Sequence, residues 1–245
     1  MNHRKGINRR DFNRLLLLSA GTLTLGAPLQ SAFAQTGRSL RIGIIGAGNI
    51  GGAIGSLWAA AGHEILFSSR NPDELAPLVE EAGENTRAGY PQEAAEFGEV
   101  VFLALPYSAM PQIGNDYGSL LQGKVVIDCS NPSVNRDGDM AADAVAKGSG
   151  VATQEYLPGT RVVRAFGTIN FRFALANAHR EGDRIAIPIA GDDAEAVQIT
   201  SNLVIDAGFE PVLVGGLETS RLFDIGTSGS GTNTTAAELR RILEL

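Results

Sequence analysis

Six residues, Gly46-Ala47-Gly48-Asn49-Ile50-Gly51, fit the spacing G-x-G-x-x-G, a pattern whose backbone can cradle a pyrophosphate. Gly46 lets the chain turn sharply off a preceding strand. Gly48 lacks a Cβ, so a phosphate can approach its backbone. Gly51 lets the following helix pack close to that strand. The amides opening that helix carry a partial positive charge toward an anion. The competing reading is a merely structural tight turn, since the chain has 30 glycines in 245 residues. Context favours the nucleotide: the pattern follows a strand, opens a helix and sits in a β-α-β unit of the right length.

A second group, Ser68-Ser69-Arg70-Asn71, lies about 20 residues further on, where NAD sites carry Asp or Glu for the ribose 2′-hydroxyl. Two hydroxyls and a guanidinium suit a 2′-phosphate, which a carboxylate would repel. NADP is therefore the expected cofactor, and an ordinary polar strand end is the alternative.

The elements that must position these groups follow from the apolar pattern. Leu40, Ile42, Ile44 and Ile45 make a first strand, and Ile54, Trp58 and Ala61 a helix ended by Gly62. His63–Phe67 reads as a second strand. Beyond it come a helix from Pro72 to Gly83, a short strand Thr86–Gly89 and a helix Pro91–Phe97. Val100–Leu105 is a continuous apolar run, as in a strand buried on both faces. A helix from Ala109 to Leu121 and a strand Val125–Asp128 follow. Such alternation predicts a Rossmann-type α/β fold, a doubly wound parallel sheet with a smaller C-terminal continuation. Ligands bind at the carboxyl ends of such strands. The turns at Gly46, Ser69, Pro106 and Asn131 should share one rim, which adds Leu105, Pro106 and Asn131 to the cofactor contacts.

The rest continues with Thr153–Leu157 as helix, Arg161–Phe166 and Ile185–Ala190 as strands, a helix Asp193–Ala207 and a strand Pro211–Val214. Gly226–Thr235 is a Gly/Ser/Thr loop, and Ala236–Leu245 is a closing helix, packed on the body or lent to a second copy in a homodimer. The expected division is a signal peptide at 1–34, an NADP-binding Rossmann domain at 39–160 and a C-terminal α/β continuation at 161–245.

The head of the chain reads differently. Arg4, Lys5, Arg9 and Arg10 precede a short greasy stretch, Leu15–Leu25, and then Ala32-Phe33-Ala34. That is the order of a secretory signal. Arg9-Arg10-Asp11-Phe12 resembles the twin-arginine signal, which implies recognition by that export machinery, cleavage after about Ala34 and a periplasmic destination. Gly, Thr, Gln and Pro dilute the stretch, which argues against a membrane anchor. The first 34 residues carry five Lys/Arg and one Asp, a net +4, leaving −11 of the formal −7 on the remainder. So acidic a body argues against nucleic acid or an anionic membrane as partner. One cysteine, Cys129, excludes an internal disulfide framework, and three scattered histidines (His3, His63, His179) argue against a histidine metal cluster.

Several residues have plain structural readings. Cys129 and Trp58 read as core, His63 as a satisfied edge residue, His179 as surface, and Asp192-Asp193 as a turn and helix start.

With the elements placed, the chain resembles the F420-dependent NADP reductase family, and with it the cytosolic domains of the STEAP metalloreductases. The likeness spans about Leu40 to Ile225. It rests on Gly46–Gly51, Ser68-Ser69-Arg70, Val100 to Pro106, Arg164-Ala165-Phe166-Gly167-Thr168-Ile169 and Phe171-Arg172-Phe173-Ala174. Ala190-Gly191-Asp192-Asp193 and Gly216-Leu217-Glu218-Thr219-Ser220-Arg221 complete it. The resemblance implies direct hydride exchange between NADPH and a deazaflavin, flavin or other small redox acceptor stacked on the nicotinamide. Such transfer needs positioning more than proton donors, so no catalytic acid or base is assigned. Gly167 departs from the family, which carries a polar or aromatic side chain there. An exported enzyme also cannot readily exchange a nucleotide made in the cytoplasm. The expectation is that the chain folds around NADP(H) before transport and keeps it, as an enzyme or as a non-catalytic binding or sensing module.

Replacing Arg70 by Ala should weaken NADPH binding by about 1.5–3 kcal/mol, the worth of a hydrogen bond to a charged group. Titration of both nucleotides checks this, and an equal loss of NADH affinity would refute the 2′-phosphate assignment.

Overall fold

Alternating side chains on the central strands divide the core in two. On Val100–Leu103, Val100 and Phe102 join one buried cluster with Ile42, Ile44, Ile54 and Trp58, while Val101 and Leu103 join another with Tyr107, Met110 and Leu157. A strand whose successive residues are all buried, on opposite faces, must be covered on both sides. The computed structural model describes residues 38–245. These belong to one compact unit; the expected signal peptide and its cleavage point lie outside the described residues.

Eight strands make one sheet: β1 (Arg41–Ile45), β2 (Glu64–Ser68), β3 (Thr86–Gly89), β4 (Val100–Leu103), β5 (Val125–Asp128), β6 (Arg161–Arg164), β7 (Ala186–Gly191) and β8 (Glu210–Gly215). Their spatial order is β3-β2-β1-β4-β5-β6-β7-β8. From β3 to β6 every pairing is parallel, with Ile45 level with both Ser68 and Leu103, and Leu103 level with Asp128. The carboxyl ends of β2, β1, β4 and β5 therefore lie along one rim, as the sequence requires.

One pairing departs from the expected parallel sheet. β6 and β7 pair antiparallel, through Val163 with Gly191 and Arg164 with Ala190; β7 and β8 are parallel again. Helices alternating with strands carry no information on whether the chain reverses, and here the connection between β6 and β7 stays at the carboxyl end of β6, so that β7 runs back the other way. The sheet is otherwise continuous across residue 160.

Ten helices accompany the strands among the described residues: α1 (Asn49–Ala60), α2 (Ala76–Ala82), α3 (Pro91–Phe97), α4 (Met110–Leu121), α5 (Val134–Asp137), α6 (Asp139–Lys147), α7 (Ser149–Tyr156), α8 (Phe171–Asn177), α9 (Ala194–Asp206) and α10 (Ala236–Leu243). Pro72–Leu75 forms a 3₁₀ turn ahead of α2 rather than one continuous helix. The apolar side of α10 packs on its own sheet, with Leu239 and Leu243 against Ala186 and Val212. Trp58 is fully buried, its Nε1 donating to the Leu203 carbonyl at 2.7 Å. His63 is buried between the Leu40 amide and Asp206. Asp193 caps α9 through the Ala196 amide.

α1 sits close over β1 because no side chain intervenes: a Cβ on Gly51 would lie 2.1 Å from the Gly46 carbonyl oxygen. Gly51→Ala is therefore expected to destabilise the fold by about 1–3 kcal/mol, the usual penalty of overpacking. Denaturant unfolding measures this, and an unchanged midpoint would contradict the close-packing account.

Candidate functional site: the rim cleft

The glycine turn divides its labour as its spacing predicts. Gly46 leaves β1 at φ +99°, a conformation that L side chains rarely adopt. A Cβ there would also meet the Ala104 carbonyl oxygen at 2.5 Å. Gly48 is exposed and would present a Cβ to open space, with nothing within 4 Å. The amides of Asn49, Ile50 and Gly51 open α1 and so have no partner one turn back. No side chain caps that end, and no acidic residue stands in the first turn. Such a helix start has its donors available to an anion.

Ala47 has a different task. Its N–H donates to the Ser68 carbonyl at 2.9 Å and ties the two turns side by side. Ser68 itself corrects the sequence reading. It is fully buried, and its hydroxyl donates to the Ile44 carbonyl at 2.7 Å. It therefore joins β2 to β1 and offers no side chain to a ligand. Ser69, next in the alternation, is half-buried, with its Oγ accepting from the Asn71 amide at 2.9 Å. Asn71 also donates to Glu74 at 3.2 Å. Arg70 is exposed and makes no ion pair among the described residues, so its guanidinium is free for a phosphate.

Further along the rim lies a cleft of about 470 Å³. Asn49, Ile50, Leu105, Pro106 and Asn131, all expected from the sequence, line it, together with Ala104, Cys129, Ser130, Arg136, Ile169, Asn170 and Phe171. Gly46, Ala47, Gly48, Gly51 and the Ser68–Asn71 turn are outside its lining. Asn131 faces the cleft already engaged: its Nδ2 donates to the Gly167 carbonyl at 2.6 Å, and its Oδ1 accepts from Arg164 at 3.4 Å. Burial first, then the neighbouring Asp128, pushes the Cys129 thiol far above the ordinary range, which keeps it a neutral core group rather than a nucleophile. Burial likewise pushes the Tyr107 phenol up. At the mouth, the Arg136 hydrogen bond holds the Asp137 carboxyl well below the usual range. That carboxylate accepts from the Ser108 and Ser133 amides and ties the two loops together.

Sequence reasoning missed the charged cluster behind this floor. Arg164, 1 % exposed, pairs with Asp128 at 2.9 Å and Asp224 at 3.4 Å. Asp128 also accepts from the Ser130 amide and hydroxyl and from Thr153. Asp224 accepts from the Ser149 amide at 2.9 Å and from its hydroxyl. Burial opposes the Arg164 charge, but the two carboxylates prevail and raise its pKa. The available signal was an arginine inside the apolar run Val162-Val163-Arg164-Ala165-Phe166.

Residues 41–132 match the family described as NADP oxidoreductase, coenzyme F420-dependent. Over that segment the chain is similar to F420-dependent NADP reductases. It is 27 % identical to the F420-dependent NADP reductase of Methanothermobacter marburgensis over 200 residues, covering 76 % of this chain and 88 % of that protein. It is 28 % identical to the metalloreductase STEAP3 of Rattus norvegicus over 188 residues, 74 % of this chain but only 35 % of the rat protein. Among solved structures, the hypothetical protein SMa0349 of Sinorhizobium meliloti superposes with a TM-score of 0.69 at 26 % identity, over 80 % of this chain and 95 % of that one. The matched residues include the glycine turn, β1 to β5 and the Asn131 turn.

The open space at Gly48 separates folding from binding. Gly48→Ala should leave the unfolding free energy within about 0.5 kcal/mol while lowering NADPH affinity roughly tenfold or more, about 1.4 kcal/mol. Parallel unfolding and fluorescence titrations test this; unaltered affinity would contradict a phosphate over that glycine.

Proposed function

We propose that this chain is an NADP(H)-dependent oxidoreductase that exchanges hydride between NADPH and a planar redox acceptor of the deazaflavin or flavin kind. The observation that carries the reading is the uncapped, acid-free start of α1 beside the open Gly48, with the unpaired Arg70 at the next strand end. These residues fit the nucleotide: the Asn49–Gly51 amides would hold the pyrophosphate, and Ser69 and Arg70 the extra phosphate. Bound there, the nicotinamide supplies the hydride. Leu105, Pro106, Ile169 and Phe171 would keep water from the reacting faces.

The chemistry of the lining supports this acceptor class. Reducing a carbonyl or imine requires a proton at oxygen or nitrogen, whereas a flavin-type ring can accept hydride alone. Among the described lining residues, the Ser130 hydroxyl is bonded to Asp128, the Cys129 thiol is held neutral, and Arg136 is paired with Asp137. None is an acid matched to neutral pH. The basic head with its Arg9-Arg10 pair supports a further part of the proposal: twin-arginine export of the folded chain to the periplasm, nucleotide included.

Loss of the reduced-nicotinamide absorbance against a panel of deazaflavins, flavins, quinones, ferric chelates and simple ketones is the test. Turnover with a ring acceptor, and none with simple ketones, is expected. Tight NADPH binding without turnover on any acceptor would replace the enzyme with a binding or sensing module.

A further inference from the structure

Building on the hydride-transfer reading above, we propose that Arg164 is a positioning residue, a buried cation that holds Asn131 against the Gly167 carbonyl and thereby sets the cleft floor. Its guanidinium works as a fork. Nη1 meets the carboxylate and the backbone carbonyl of Asp128, each at 2.9 Å. Nη2 lies 3.4 Å from both the Asp224 carboxylate and Asn131 Oδ1. Asn131 Nδ2 then donates to the Gly167 oxygen at 2.6 Å. The chain of contacts runs from two carboxylates outside the cleft to the segment that forms its wall, since Ile169 and Phe171 follow directly.

Two further observations show that this segment is held, not relaxed. Phe166 adopts φ +63° while fully buried, an unfavourable conformation for a bulky residue. Its ring is wedged edge-on against Phe102 at 5.9 Å and Trp58 at 5.6 Å. A side chain at Gly167 would crowd the clamp: a Cβ would stand 3.1 Å from Asn131 Oδ1 and 3.2 Å from Arg164 Nη2. The amide and guanidinium of the clamp thus pack directly against the backbone at 167.

Stability does not account for the arginine. Well-packed apolar residues of similar volume are often at least as stabilising as a buried ion cluster, and Arg164 Nε is left buried without a partner. Position does account for it, because only a planar fork reaches two carboxylates and an amide together.

Arg164→Lys keeps the cation and its Asp128 pairing but loses the second nitrogen; Asn131→Ala removes the next link. In nucleotide-free protein, each variant should speed hydrogen–deuterium exchange over residues 165–171 about tenfold, with α1 unchanged. With NADPH and FMN, kcat should fall roughly 100-fold, as for a misplaced reacting group, while in Arg164→Lys, which does not line the cleft, KM for NADPH stays within about threefold. The double variant should be no worse than either single one, because the two act in series. Wild-type exchange and kcat in Arg164→Lys, or multiplicative losses in the double variant, would overturn the clamp. Should Arg164→Lys fail to fold, unchanged exchange in Asn131→Ala overturns it alone. If wild-type protein binds no NADPH, the functional reading fails, and the exchange comparison still decides the clamp.

Discussion

The arrangement depends on how closely one helix can approach one strand. Gly51 lies against the Gly46 carbonyl with no room for a methyl group between them, so the first turn of α1 hangs over the end of β1. Moved outward by the width of a side chain, the same amides would point at solvent above the sheet. The parallel register then places the ends of β2, β4 and β5 beside them. A row of strand ends becomes a crevice with donors at one end and a cleft of mixed lining at the other.

The two ends are built on different physics. At Gly48 and Arg70 the chain is exposed, as suits a charged ligand that brings its own hydrogen-bond acceptors. Behind the cleft the polar groups are buried and mutually engaged, one arginine shared between two carboxylates and an asparagine. Low dielectric makes such a cluster costly to disturb and rigid when satisfied. Hydride transfer asks for that rigidity, since it depends on ring placement rather than on proton exchange.

How much was legible in the sequence follows from what each feature is made of. The Gly46–Gly51 turn and the strands Thr86–Gly89 and Val125–Asp128 are local patterns of glycine and apolar residues, and the structure has them where those patterns fall. The reversal at β7 is a long-range pairing with no local mark. The helices Val134–Asp137, Asp139–Lys147 and Phe171–Asn177 are short, and polar or mixed in composition, so their periodicity was too weak to read. Ser68 was misjudged because adjacent strand residues face opposite sides, and only register tells which hydroxyl is turned inward. The Arg164 cluster joins residues 36 and 60 positions apart; an arginine in an apolar strand signals a buried partner without naming it.

The most direct measurement is a crystal structure of the protein grown with NADP⁺. The account predicts the pyrophosphate on the Asn49–Gly51 amides above Gly48, the 2′-phosphate beside Ser69 and Arg70, and the nicotinamide in the cleft near Asn131. Nucleotide bound elsewhere, or a glycine turn without phosphate at saturating NADP⁺, would contradict it.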